Sequence, residues 1–152
     1  MKEIIFTKTK LPYGWLGNMF ASPIEYDGRI WRTGEALFQA LRFEEDEYRE
    51  LIRNEKSPIG AKLKAKSNKD KMVVIPTSDK DVDNMRLVLS IKFKQHTDLS
   101  KKLKETDPYI LIEDVSTRKR GNSTFWGAYN NGEEWIGQNI LGKLLMELRD
   151  GL

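Results

Sequence analysis

The chain has 152 residues, 39% hydrophobic and 32% charged, with 26 basic against 23 acidic residues and a formal net charge of +3. That is the profile of one globular domain with one core; it excludes a disordered chain, and its apolar runs are too short for a membrane-spanning helix. With no cysteine there can be no disulfide, thiolate zinc site or cysteine nucleophile, a composition compatible with a reducing cytoplasm, and the opening Met1–Phe6 is too short and too quickly polar for a secretory signal.

Residues 2–6 read as a short strand. Ile24-Glu25-Tyr26 and Arg29-Ile30-Trp31 flank Asp27-Gly28, a pair that supplies the two positive-φ positions of a tight hairpin. Thr33 has the character of a helix cap, and Leu37, Leu41, Tyr48, Leu51 and Ile52 keep helical spacing as far as residue 53. Ser57-Pro58 restarts a helix, a cap followed by proline at the first position. Residues 67–77 read as a loop or short strand, and Ser78 then caps a helix whose expected buried stripe is Val82, Met85, Leu89 and Phe93. A short helix around Leu99 and Leu103 precedes a strand from Tyr109 to Ile112. Residues 115–134 form a long polar loop interrupted by Phe125-Trp126-Gly127, and a last helix is built on Ile140, Leu141, Leu144, Leu145 and Leu148 with Gly151 as its stop. The expected fold class is α+β, mostly helical, with a small antiparallel sheet, in one domain over 1–152.

Several motifs are weighed and set aside. Gly137 to Lys143 has the spacing of a phosphate-binding loop, but Leu144 stands where the metal-holding hydroxyl belongs, and Ile140 and Leu141 suit a helix face. His96 is the sole histidine, so no zinc site is expected. The lysines at 62, 64, 66, 69 and 71 read first as a solvated face, with nucleic acid as a lesser reading. Three residues stay open between two roles. Glu35 is either a first-turn acid serving the helix dipole or a working carboxylate beside Trp31 and Phe38. Trp126 is either a stacking platform for a flat heterocycle or a core plug. Asn139 caps the last helix or touches a ligand.

An ordered series of motifs narrows these choices. Asn18, Pro23-Ile24, Asp27-Gly28, Trp31, Thr33, Glu35, Phe38-Gln39-Ala40, Tyr48-Arg49, Ser57-Pro58, Met85, Lys92-Phe93, Gln95-His96, Trp126-Gly127, Gly137, Asn139, Leu141-Gly142 and Leu145 to Arg149 run from about residue 16 to the C-terminus. The series resembles the NADAR, or YbiA-like, family. The resemblance implies an N-glycosidase, a hydrolase needing no cofactor and no metal. Its substrate would be a ribosylated, nucleotide-like small molecule: a riboflavin-pathway intermediate or an ADP-ribosylated base. It implies Glu35 as the catalytic carboxylate and Asn18, Gln39, Arg42, Trp126, Gly127 and Asn139 as substrate-binding residues. The chain departs from the family pattern at Ala36, where histidine is usual, near Thr77, where tryptophan is usual, and at Ser123, where aspartate is usual. It also carries a basic insert, Arg118-Lys119-Arg120. The alternative these departures raise is an impaired enzyme that binds ADP-ribose or a similar nucleotide metabolite. A cytoplasmic protein with no membrane partner is expected, and nucleic acid stays a minor candidate partner. Oligomeric state is left unassigned.

Overall fold

A computed structural model describes residues 2–152. Its contacts divide the chain into two compact units, Asn18–His96 and Met1–Gly17 with Thr97–Leu152.

The Asn18–His96 unit begins with a hairpin of β2 (Ile24–Tyr26) and β3 (Arg29–Trp31), following a first strand, β1 (Glu3–Phe6), that belongs to the other unit. Ile24 pairs with Trp31 and Tyr26 with Arg29, and the turn between them has Asp27 and Gly28 at φ 54° and 71°. The Asp-Gly reading therefore holds, because both turn residues take the left-handed backbone that this pair tolerates best. Four helices follow: α1 (Gly34–Ala40), α2 (Asp46–Arg53), α3 (Pro58–Ser67) and α4 (Asp79–Gln95). Each of the three caps chosen from the sequence does the expected work: Thr33 accepts from the Ala36 N–H, Ser57 from Gly60 and Ser78 from Asp81.

The single helix expected through residue 53 is instead two. Helical hydrogen bonding lapses at 41–45 because carbonyls there are taken elsewhere. Arg42 O accepts from the N–H groups of Val73 and Val74 at 2.8 and 3.2 Å, and Phe43 O accepts from Arg49 Nε at 2.7 Å. The Val73 and Val74 donors lie about thirty residues on, so no local periodicity announces that part of the break. After it, Ile52 is buried but Leu51 is 42% exposed. Residues 67–77 contain a 3₁₀ turn at Lys69–Lys71 and no strand. On α4 the buried stripe is Met85, Val88, Leu89 and Phe93, with Val82 only half-buried, and polar Asp81, Asn84 and Lys92 are buried too.

In the other unit, β1 (Glu3–Phe6) pairs in parallel with β4 (Ile110–Glu113), Ile4 opposite Leu111 and Phe6 opposite Glu113. This ladder is parallel and adds to the small antiparallel pairing that was expected, which the β2–β3 hairpin and a second ladder, Tyr129–Asn130 with Trp135–Ile136, supply. α5 (Thr97–Glu105) buries Leu99 and Leu103 as expected. The long loop is partly ordered: α6 (Ser123–Trp126) and a small ladder of β5 (Tyr129–Asn130) with β6 (Trp135–Ile136) lie within or beside it. α7 (Ile140–Asp150) packs on β4 and buries Leu141, Leu144 and Leu145, leaving Leu148 half-buried. Arg149, buried on the same helix, donates to Thr106 Oγ1 and Tyr109 O. Among the described residues no helix is long and apolar enough to cross a membrane.

Lys92 is a basic residue buried in the α4 stripe. Its ammonium lies 5.2 Å from the Phe93 ring centre and 5.9 Å from that of Phe20, and burial pushes its pKa down to about 7. The folded state thus holds the proton less tightly than the unfolded chain. The penalty for burying the charge is full below pH 7 and fades as pH rises toward the unfolded value of 10.5. Lys92→Met should raise the thermal midpoint at pH 6 and raise it less at pH 9.5. An equal shift at both pH values would contradict a buried titrating ammonium.

Candidate active site

Glu35 and Gln39 are four residues apart on α1, so they share one face, and Arg42 continues that face in the turn after the helix. The Gln39 Nε2 donates to Glu35 Oε2 at 2.6 Å, and Arg42 Nη1 donates to Gln39 Oε1 at 3.1 Å. Asp81, at the start of α4, closes the series. Its carboxylate accepts from Arg42 Nε at 2.9 Å and Nη2 at 2.8 Å, a two-point pairing, and also from the Thr77 N–H at 2.9 Å. Asp81 is 0% exposed, while the Arg42 guanidinium also lies over the Phe38 ring with 4.7 Å to its centre. A carboxylate sealed this completely needs such a partner.

Glu35 is 8% exposed. One oxygen is held by Gln39; the other, Oε1, accepts no hydrogen bond from the described residues and is not walled off from solvent. The site therefore presents one carboxylate oxygen with its orientation set from behind. Asn18 stands at the entry to α1: its carbonyl accepts from the Glu35 N–H at 3.0 Å, and its Nδ2 donates to Met85 Sδ at 3.1 Å. Asn18 Oδ1 is buried without a hydrogen-bond partner among the described residues. A Cβ at Gly34 would sit 3.0 Å from that oxygen and 3.2 Å from Val88, so glycine there lets the asparagine pack close.

The remaining expected site residues, Trp126, Gly127 and Asn139, lie in the other unit and surround β4. Asn139 is left-handed at φ 51° and makes no side-chain cap bond. Its side-chain amide behaves like a strand residue: Nδ2 donates to Leu111 O at 2.9 Å and Oδ1 accepts from Glu113 N–H at 3.0 Å. Of the two roles left open, capping is excluded, and the amide is spent on β4. Gly127 is needed because a Cβ would fall 2.6 Å from Glu113 O, and one at Gly137 would fall 2.5 Å from Gly127 O. At Gly142 a Cβ would collide with Leu111 O and the Asn139 amide. The glycines that resembled a phosphate loop are thus close-approach positions. The Trp126 ring is half-buried, edge-on to Phe125 at 5.0 Å and 84°, which is not a full core plug.

Sequence reasoning missed Asp81. It falls four residues before Met85 on the buried face of α4, and a charge on an apolar stripe is a signal for a buried partner. Asn139→Ala should lower stability by about 2 kcal/mol, two hydrogen bonds at about 1 kcal/mol each. Urea unfolding measures it, and unchanged stability would contradict the clamp on β4.

Comparison with known proteins places this geometry. The pattern of the NADAR domain matches residues 5–152. The N-glycosidase YbiA of Escherichia coli (strain K12) is 38% identical over 151 residues, covering 98% of this chain and 88% of that protein. The riboflavin biosynthesis protein VVA0006 of Vibrio vulnificus is 27% identical over 152 residues, which are 99% of this chain but 39% of that protein. The NMR structure of E. coli YbiA superposes with a TM-score of 0.79 at 35% identity, covering 99% of this chain and 86% of that one. With the family pattern running through both units, this chain belongs to the NADAR domain family.

Proposed function

We propose that this chain hydrolyses the N-glycosidic bond of a ribosylated, nucleotide-like small molecule, acting as one domain over 1–152. The observation that carries the reading is the Glu35 carboxylate, one oxygen tethered by Gln39 and the other available to a ligand, in a chain 38% identical to an N-glycosidase.

The chemistry suits that arrangement. As the C–N bond breaks, its electron pair leaves with the base and the anomeric carbon gains positive charge. Glu35 Oε1 stabilises that charge and orients the water that adds to the carbon; the water's proton ends on the departing base. Trp126 is assigned stacking on the heterocycle, and Asn18 Oδ1, buried without a partner, is assigned a hydrogen bond from the sugar. Gln39 and Arg42 act behind Glu35, because Arg42 already spends Nε, Nη1 and Nη2 on protein acceptors. Asn139 and Gly127 shape the Trp126 segment from β4.

The substrate classes to test are riboflavin-pathway intermediates, toward which the Vibrio relative's name points, and ADP-ribosylated guanine. The basic insert supports a nucleic-acid partner weakly: Arg118 donates to Thr7, Asp114 O and Glu113, and Lys119 lies over the Tyr129 ring at 4.5 Å. A second reading, a binder of ADP-ribose that no longer turns over, draws on Ser123, whose buried Oγ has no hydrogen-bond partner where the family resemblance leads one to expect aspartate.

Glu35→Gln should cut turnover by roughly 10²–10³-fold, the scale of losing one electrostatic group, with ligand affinity changed much less. Base release from both substrate classes, native against variant, measures it. Equal rates would remove Glu35 from catalysis, and tight ADP-ribose binding without release from either class would favour the binder. Trp126→Ala should instead weaken ligand binding by about 1–3 kcal/mol through lost stacking, and a titration showing unchanged affinity would contradict that role.

A further inference from the structure

We propose that Asp81 is a positioning residue for Glu35: it detains the Arg42 cation and thereby sets the orientation of the Gln39 amide. This rests on the reading of Glu35 as the working carboxylate.

Four side chains, from α1, the turn that follows it and the start of α4, form one directed series. Asp81 occupies Arg42 Nε and Nη2, which turns Nη1 toward Gln39. A side-chain amide has one acceptor end and one donor end. With Gln39 Oε1 receiving Arg42, its NH₂ must face Glu35, and it donates there to Oε2. Reversal of the amide would set an oxygen against the carboxylate and an NH₂ against the guanidinium. The series therefore defines which Glu35 oxygen is tethered and which is presented.

Detention matters as much as orientation. Arg42 lies seven residues after Glu35, in the turn that follows α1, with Gln39 between them. Without Asp81, Glu35 is the carboxylate that Gln39 already links to that guanidinium. A direct pairing would cancel the negative charge that an oxocarbenium-like transition state needs. Stability alone gives little reason for the arrangement, since a buried ion pair is commonly replaced by apolar side chains of similar volume without loss. The backbone beside it is also strained. Thr77, a β-branched residue, is left-handed at φ 68°, and its N–H is held by Asp81 Oδ2 at 2.9 Å. Such strain gathers where surrounding structure enforces a functional geometry.

A mutant cycle on base release tests this, using whichever of the riboflavin-pathway intermediate and ADP-ribosylated guanine the native protein turns over. Asp81→Asn should lower kcat roughly 10–100-fold, the scale for losing an outer hydrogen-bond partner of a functional group. KM should move by less than about threefold, since the presented charge acts mainly in the transition state. In the Glu35→Gln background the same change should cost less than about twofold, because the two residues act as one unit. An equal loss of kcat in both backgrounds, or no loss in the native background, overturns the positioning role. If Glu35→Gln alone leaves kcat unchanged, the parent reading has failed and the inference falls with it. Where Asp81→Asn does not accumulate as folded protein, the charge-free pair Arg42→Met with Asp81→Leu is measured in its place; a smaller fall in kcat is expected, since no guanidinium remains to pair with Glu35, again absent in the Glu35→Gln background, and no fall overturns the role. Solution NMR provides a readout independent of turnover. The Gln39 side-chain NH₂ should be protected from hydrogen exchange in the native protein and lose at least about tenfold of that protection in Asp81→Asn or in the pair. Protection unchanged by removing Asp81 overturns the inference.

Discussion

The burial of Arg42 against Asp81 is the constraint on which the Asn18–His96 unit turns. A guanidinium cannot be taken from water without its donors being satisfied, and a carboxylate at 0% exposure cannot stand alone. The pairing joins the turn after α1 to the start of α4, and residues 73 and 74 cover the Arg42 carbonyl in the same place. The same demand leaves one guanidinium nitrogen for Gln39 and one amide group for Glu35. Polar groups buried at this depth are rarely neutral bystanders. Here they connect a structural ion pair to the Glu35 carboxylate.

The other unit solves a different problem, close approach of backbone to backbone. β4 has β1 along one edge, and the Asn139 side chain supplies to its Leu111 carbonyl and Glu113 N–H what a further strand would supply. That substitution requires Asn139 to be left-handed and Gly142 to lack a side chain. It also draws the Trp126-Gly127 segment in, since Ala128 N–H donates to Glu113 O and Asn139 N–H to Gly127 O. The Trp-Gly and Gly-x-Asn signatures are therefore explained by packing geometry around one strand, whatever the tryptophan ring itself touches.

Local chemistry made much of this legible in the sequence. The Asp27-Gly28 turn and the Thr33, Ser57 and Ser78 caps depend on residues within a few positions of one another, and all appear as read. The division of α1 from α2, the parallel β1–β4 ladder and the Asn139 clamp depend on partners distant in sequence, which no spacing encodes. In the candidate site, Glu35, Gln39 and Arg42 were named from the family resemblance, and it is the structure that joins them in one series. Asp81 was not named, because an acid in a first turn already has an ordinary explanation in the helix dipole.

The central claim is that Glu35 Oε1 addresses the carbon at which the sugar is cleaved. A crystal structure of the native protein soaked with ADP-ribose tests it most directly. The account predicts Oε1 within about 3–4 Å of the anomeric carbon, the reach of a group acting on that atom directly or through one water. It also predicts Gln39 still donating to Oε2. A bound ribose whose anomeric carbon faces away from Glu35, with the carboxylate turned to Arg42, would contradict it.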